Sequence, residues 1–293
     1  MSGKLKEVRD RIGSVKSTQQ ITAAMKMVSA AKLRRAQDAI LQMRPYALKM
    51  GTMLENIAAA TQGDVKIDFA EQREVKRAMV VVITSDKGLC GAFNTNVIKA
   101  ARRAIEERYA HLPAANVQLM FIGKKGFDVL KRTEYGKITR FQQLFQKVSF
   151  EAVTEATTYI KDGFLNKEYD EVVVVYNKFK NAATQILETE QFLPIKKVEA
   201  DEQQTQTDFL FDPDKHMLIG ELVPRILNTT FFRYVLDSNA AEHGARMTAM
   251  DKASDNANEL LKELKTEYNR ARQAAITTEL TEIVSGAAAL QGN

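Results

Sequence analysis

A seven-residue repeat at each end of the chain constrains its fold more than any other feature. From Leu5 one seam row reads Leu5, Ile12, Gln19, Lys26, Leu33, Ile40, Ala47, Leu54, and the other reads Val8, Val15, Thr22, Ser29, Ala36, Met43, Met50, Ile57. The spacing alternates three and four without a slip, and only a 3.5-residue period keeps one stripe turned toward a partner helix for so long. A helix of that length spans roughly 85 Å at about 1.5 Å per residue, longer than the core of a compact domain. Pro45 predicts a bend within this helix rather than its end. A second register opens at Leu236 and runs through Ala240, His243, Met247, Met250, Ser254, Ala257, Leu261, Leu264, Tyr268, Ala271, Ala275 and Thr278. Its Ala and Ser residues suit close approach of two helices. Neither stripe can be buried alone, so the two ends are expected to pair as an antiparallel coiled coil.

The first seam is polar in its middle, at Gln19, Thr22, Lys26 and Ser29, while the apolar residues Ile21, Met25 and Val28 fall off it. Two readings stay open. A local stutter would rotate the apolar stripe onto those residues. Alternatively, the seam holds and this stretch touches something outside the pair.

Between the repeats, runs of Val and Ile alternate with helical patterns. Candidate strands are Ala78–Thr84, Val117–Ile122, Glu171–Tyr176 and Thr184–Leu193; candidate helices are Asn94–Ala110, Lys125–Arg132 and Phe150–Leu165. Such alternation with continuous apolar strands predicts a mostly parallel sheet covered on both faces. Asp212-Pro213-Asp214 reads as a turn or helix start, and Pro224 as an early bend in the C-terminal segment. The expected architecture is α/β: a coiled-coil helix over 1–60, a Rossmann-like domain over 70–205 and a second coiled-coil helix over 209–293.

Candidate chemistry is sparse. Cys90 is the single cysteine, which excludes an internal disulfide and a cysteine zinc cluster. It reads as a small packing residue rather than a reactive thiol. His111, His216 and His243 lack metal-ligand spacing. The stretch from Thr84 to Asn94 joins a strand to a helix, where an α/β fold holds phosphate, but it fits neither phosphate-loop pattern. It reads as a tight turn with Asn94 near the helix cap. Ile122-Gly123-Lys124-Lys125-Gly126 likewise reads as a turn into a helix, with anion binding as the alternative. No cofactor and no metal is expected.

The first 59 residues hold eleven Lys and Arg against four acids, a net of +7, whereas the whole chain carries +5. The remainder is therefore acidic by two charges, and the N-terminal segment calls for an acidic partner surface. Tyr46 is the only aromatic residue there, so nucleic-acid binding is not expected. No apolar run reaches the ~20 residues of a membrane helix. The opening Met-Ser-Gly-Lys lacks the apolar core of a signal peptide, so a cytosolic or peripheral location is expected.

At the C-terminus the residues become specific. Ile276-Thr277-Thr278-Glu279-Leu280-Thr281-Glu282-Ile283-Val284-Ser285-Gly286-Ala287 resembles the closing signature of the γ subunits of F-type ATP synthases. IGSVKSTQQITAAMKMVSAAKLRRAQ is similar to that family's opening helix, and ITSDKGLCGAFNTNV to the start of its middle domain. The resemblance covers the chain end to end and, without an import presequence or a regulatory cysteine pair, points to the bacterial type.

The resemblance implies a central rotor that couples rotation of the c-ring to ATP synthesis or hydrolysis, with no catalytic site of its own. Implied partners are the alpha and beta subunits, the epsilon subunit and the c-ring, at the cytoplasmic face of a bacterial inner membrane. By the same resemblance Met25, Lys26, Arg272, Gln273 and Thr277 would contact the alpha/beta ring. Arg246 and Glu279 would be weaker contacts or internal to the rotor. Phe209, Leu210 and Phe211 would lie near the epsilon and c-ring contacts at the foot. The rival reading is a coiled-coil scaffold that dimerises through its seam.

Overall fold

In a computed structural model, residues 3–60, 67–195 and 215–291 are described. They form two compact units. One comprises residues up to 28 together with those from 247 onward; the other comprises residues 29–246.

The larger unit is built on a five-stranded sheet. Its strands are β1 (Ala78–Ile83), β2 (Val117–Ile122), β3 (Gly136–Ile138), β4 (Glu171–Phe179) and β5 (Gln185–Leu193), in the spatial order β3-β2-β1-β4-β5. The first four pair in parallel, and β5 closes one edge antiparallel to β4. Every residue of β1 is buried, because both faces are covered. Met79, Val81 and Ile83 join a core with α4 (Phe150–Leu165) and with Val223, Leu227, Phe231 and Tyr234 of α5 (Lys215–Gln291). Ala78, Val80 and Val82 face the opposite way, toward α2 (Phe93–Arg108) and Phe127 and Leu130 of α3 (Lys124–Leu130). This alternation follows from the two-residue period of a strand.

The expected strands and helices are present, with one addition and one correction. β3 has only three residues, too few for a periodic signal; its pairing with β2, Gln118 opposite Gly136, makes it a strand. Asn94 does not cap α2. Ala92 holds that position, while the Asn94 side chain accepts from the Ser85 N–H at 2.9 Å and so ties the incoming loop to the helix.

Helix α5 is anchored to the sheet by a polar cluster. The Tyr176 and Tyr234 hydroxyls each donate to the Glu190 carboxylate at 2.7 Å, and the two rings lie 4.6 Å apart. Burial, with the Glu190 charge adding to it, holds both phenols far above their ordinary pKa.

Helix α1 (Gly3–Ala60) continues through Pro45, and α5 through Pro224. Pro45 leaves the Leu41 carbonyl without its helical donor; Leu41 and Pro45 are both exposed, so water can serve that group. In the larger unit the α1 seam buries Ser29, Leu33 and Ala36.

In the smaller unit Leu5, Val8 and Thr22 of α1, and Met250, Ala257 and Leu264 of α5, are buried. Gln19 bonds Asn258, Thr22 bonds Ser254, and Lys26 bonds Asp251. Residue numbers rise on one helix as they fall by nearly equal steps on the other, so the pair is antiparallel. The polar residues keep their seam positions here. The stutter reading therefore fails: Ile21 and Val28 remain off the seam, 59% and 57% exposed.

Candidate functional site

Three surfaces carry the residues singled out in the sequence. The first is the end of α5. The stagger of the cross-helix bonds places Gly3 opposite residues 273–274. Beyond that point no described residue of α1 lies opposite α5, and every described side chain from Ile276 to Ala287 is exposed. Ile276, Leu280, Ile283 and Val284 recur at helical spacing along this stretch, with Ile283 67% exposed. Four large apolar side chains exposed on one helix, among the described residues, make a candidate contact surface.

Arg272, Gln273 and Thr277 lie on or beside this stretch, all exposed. The Thr277 hydroxyl donates to the Gln273 carbonyl within the helix at 3.0 Å. Glu279 is exposed and borders an open groove with Lys4, Arg270 and Ala275. Sequence reasoning singled out Arg272, Gln273 and Thr277, which are exposed here, and did not single out the apolar four. Their signal was present: apolar spacing continues past Thr278, where no described residue of α1 lies opposite.

The second surface surrounds Met25. Met25 is half-buried, and Ile21, Met27 and Val28 are exposed beside it. Lys26 is turned partly inward: its Nζ meets Asp251 Oδ1 at 2.5 Å, with 44% of the side chain still exposed. Its charge is thus paired with Asp251 while both side chains stay half-exposed.

The third place is the loop after β1. Its backbone is forced into the left-handed region at Leu89 and Gly91. Ser85 Oγ donates to the Lys87 carbonyl at 2.7 Å. Arg246 of α5 donates to the Lys87 carbonyl at 2.8 Å and the Gly88 carbonyl at 3.3 Å, and to Glu242 Oε1 at 2.5 Å. The guanidinium is almost wholly buried, and both of its terminal nitrogens are engaged within the chain. The loop thus offers carbonyl oxygens to a cation, the opposite of the N–H cradle a phosphate needs.

Cys90 lies beneath this loop. Asn94 Nδ2 approaches its Sγ at 3.2 Å, and burial pushes the thiol's pKa up, which keeps it protonated and inert. Burial, reinforced by the charges of Arg246 and Lys32, lowers the His243 pKa to about 4. Burial raises that of Glu242 against the opposing pull of Arg246. Among the described residues, no cluster of His, Cys, Asp and Glu has the arrangement of a metal site. Phe209, Leu210 and Phe211, with Asp212-Pro213-Asp214, lie outside the described residues.

Comparison with known proteins agrees with this organisation. A family model described as ATP synthase matches residues 4–290. The ATP synthase gamma chain of Cytophaga hutchinsonii is 53% identical over 290 residues, covering 98% of each chain. That of Flavobacterium psychrophilum is 51% identical over 288 residues, covering 98% of this chain and 99% of the relative. Among solved structures, a chain of the Euglena gracilis mitochondrial ATP synthase OSCP/F1/c-ring assembly matches with a TM-score of 0.67 at 21% identity, over 99% of this chain and 95% of that one. A chain from the central stalk/c-ring of the Tetrahymena thermophila enzyme matches at 0.58 and 23%, over 80% of this chain and 99% of that one. These distant structures show a shared fold, and the closer sequences show the kinship. The chain belongs to the ATP synthase gamma chain family.

Proposed function

We propose that this chain is the non-catalytic rotor of a proton-translocating ATP synthase. It carries rotation of a c-ring into a ring of alpha and beta subunits, where catalysis takes place. The observation that carries this reading is the end of α5, where Ile276, Leu280, Ile283 and Val284 are exposed on a helix that has outrun its partner. A stiff helix with an apolar end fits a collar of apolar side chains, which can hold it without fixing its angle. Below the collar Met25, Lys26, Arg272, Gln273 and Thr277 would meet the alpha/beta ring. Arg246, engaged by the loop after β1, acts inside the rotor.

The mechanism is a population shift driven by a moving protein ligand. The faces of the helix pair differ: the Met25 side is apolar and exposed, whereas others are charged. Each beta subunit therefore meets a different surface at each moment, which favours its open or closed state in turn. Contacts must stay weak, because tight binding at one angle would stall the cycle. Glu279 stays exposed and is a weaker candidate, and Phe209, Leu210 and Phe211 are proposed near the epsilon and c-ring contacts. Among the described residues no helix is long and apolar enough to cross a membrane; attachment through the c-ring at the cytoplasmic face would make the chain peripheral.

Against the scaffold alternative, α1 from Leu5 to Lys26 already packs and bonds against α5 of the same chain. The direct test truncates the chain after Ser285 in the assembled complex. Proton pumping per ATP hydrolysed should fall while the alpha/beta ring still binds nucleotide. Loss of all nucleotide binding would contradict a purely mechanical role.

A further inference from the structure

Three successive layers of the smaller unit are polar where a coiled-coil seam is ordinarily apolar. Gln19 Nε2 donates to Asn258 Oδ1 at 2.6 Å, the Thr22 and Ser254 hydroxyls lie 2.7 Å apart, and Lys26 Nζ meets Asp251 Oδ1 at 2.5 Å. The Thr22 hydroxyl also reaches the Gln19 carbonyl at 3.0 Å, and the Ser254 hydroxyl the Met250 carbonyl at 2.9 Å. Two hydroxyl protons serve three contacts, so one points across the seam while the other closes on its own helix. All three layers are satisfied in this register.

A strict heptad repeat is degenerate, since sliding one helix by seven residues lays stripe on stripe again. Here such a slip would set Thr22 opposite Leu261 and Asp251 opposite Leu33, apolar side chains that neither donate nor accept, and would bring Gln19 to Lys265 and Lys26 to Asn258 in place of their matched partners. Thr22 is the buried member of the set, whereas Asn258 is exposed and Lys26 and Asp251 are half-exposed, so the Thr22–Ser254 bond is the costliest one to lose. Well-packed apolar pairs in the same places would hold the helices together at least as tightly but would accept either register.

We propose that the Gln19–Asn258, Thr22–Ser254 and Lys26–Asp251 layers fix the axial register of the helix pair, and with it the height at which Met25 and the exposed end of α5 meet the alpha/beta ring. They are positioning residues, retained at a cost in stability. The register itself stands on the contacts above; its consequence for coupling rests on the rotor reading.

The test replaces two layers with apolar residues, Gln19→Leu, Thr22→Val, Ser254→Ala and Asn258→Leu, in a Cys90→Ser background. Added cysteines report the register: Val15→Cys with Leu261→Cys forms a disulfide in the native one, and Val15→Cys with Tyr268→Cys in the slipped one. In the assembled complex, the native seam should yield only the 15–261 disulfide. The apolar seam should yield both, with a higher denaturation midpoint for the purified chain and at least a twofold loss of protons pumped per ATP. Exchanging the hydroxyls, Thr22→Ser with Ser254→Thr, should restore the single disulfide. A 15–268 disulfide that never forms in the apolar variant, or a lowered midpoint, would overturn the proposal. Slippage with undiminished pumping would instead overturn the rotor reading on which the positioning role depends.

Discussion

Gly123 ends β2 with φ at 85°, and a β-carbon there would lie 1.8 Å from the Thr84 carbonyl oxygen. No neighbouring side chain can yield, because the obstacle is backbone. Gly123→Ala should therefore destabilise the purified chain by more than about 2 kcal/mol, read as a lowered urea midpoint. Asp237 is a different case. Burial raises its carboxyl pKa to about 6 against the opposing pull of Arg233, Lys178 and the Phe179 N–H, with Glu190 adding to the rise. The folded state thus prefers the protonated acid. That preference contributes fully below the ordinary value of 3.8 and is lost as pH rises through about 6. Asp237→Asn should raise stability at pH 8 by up to about 2 kcal/mol, with the gain fading by pH 4. An unchanged pH profile in urea titrations would count against it. The sequence signalled Gly123 as a turn residue. It offered nothing on Asp237, because the groups around it come from β4, β5 and α5, and only folding gathers them.

At the scale of elements, α5 buries Leu264 in the helix pair and exposes Ile283 beyond it. The two residues are chemically alike, so their mutants separate packing from coupling. Leu264→Ala should cost about 2–4 kcal/mol in the purified chain by opening a cavity in the seam. Ile283→Asp should leave the purified chain's stability within about 0.5 kcal/mol, as expected for an exposed position. In the assembled complex it should lower proton pumping per ATP several-fold. Equal effects of both on stability would contradict the register that leaves residues 276–287 without a facing helix. Period governs what was legible at this scale. Eight heptads and six-residue apolar strands announce themselves, whereas the three residues of β3 owe their strand to Gln118 and its neighbours. The polar seam was ambiguous in sequence, since composition alone cannot separate a rotated stripe from a satisfied polar layer; the bonds to Asn258, Ser254 and Asp251 do so.

At the scale of the molecule, the end-to-end match to ATP synthase gamma chains places a chain with a self-filled loop and an exposed helix end in a rotary enzyme. Both features suit the proposed transmission of force. Arg246 occupies the carbonyls of the loop after β1, so the crevice where many parallel sheets hold a ligand is closed by the chain's own helix. Individual ring contacts were the least legible part, because they depend on surfaces of other chains. The most direct test of a rotor is to watch the chain turn. With the alpha/beta ring immobilised and a rod fixed through Arg102→Cys on the exposed face of α2, in a Cys90→Ser background, ATP should drive the rod round in one direction. Steady ATP turnover beneath a stationary rod would contradict the rotor role.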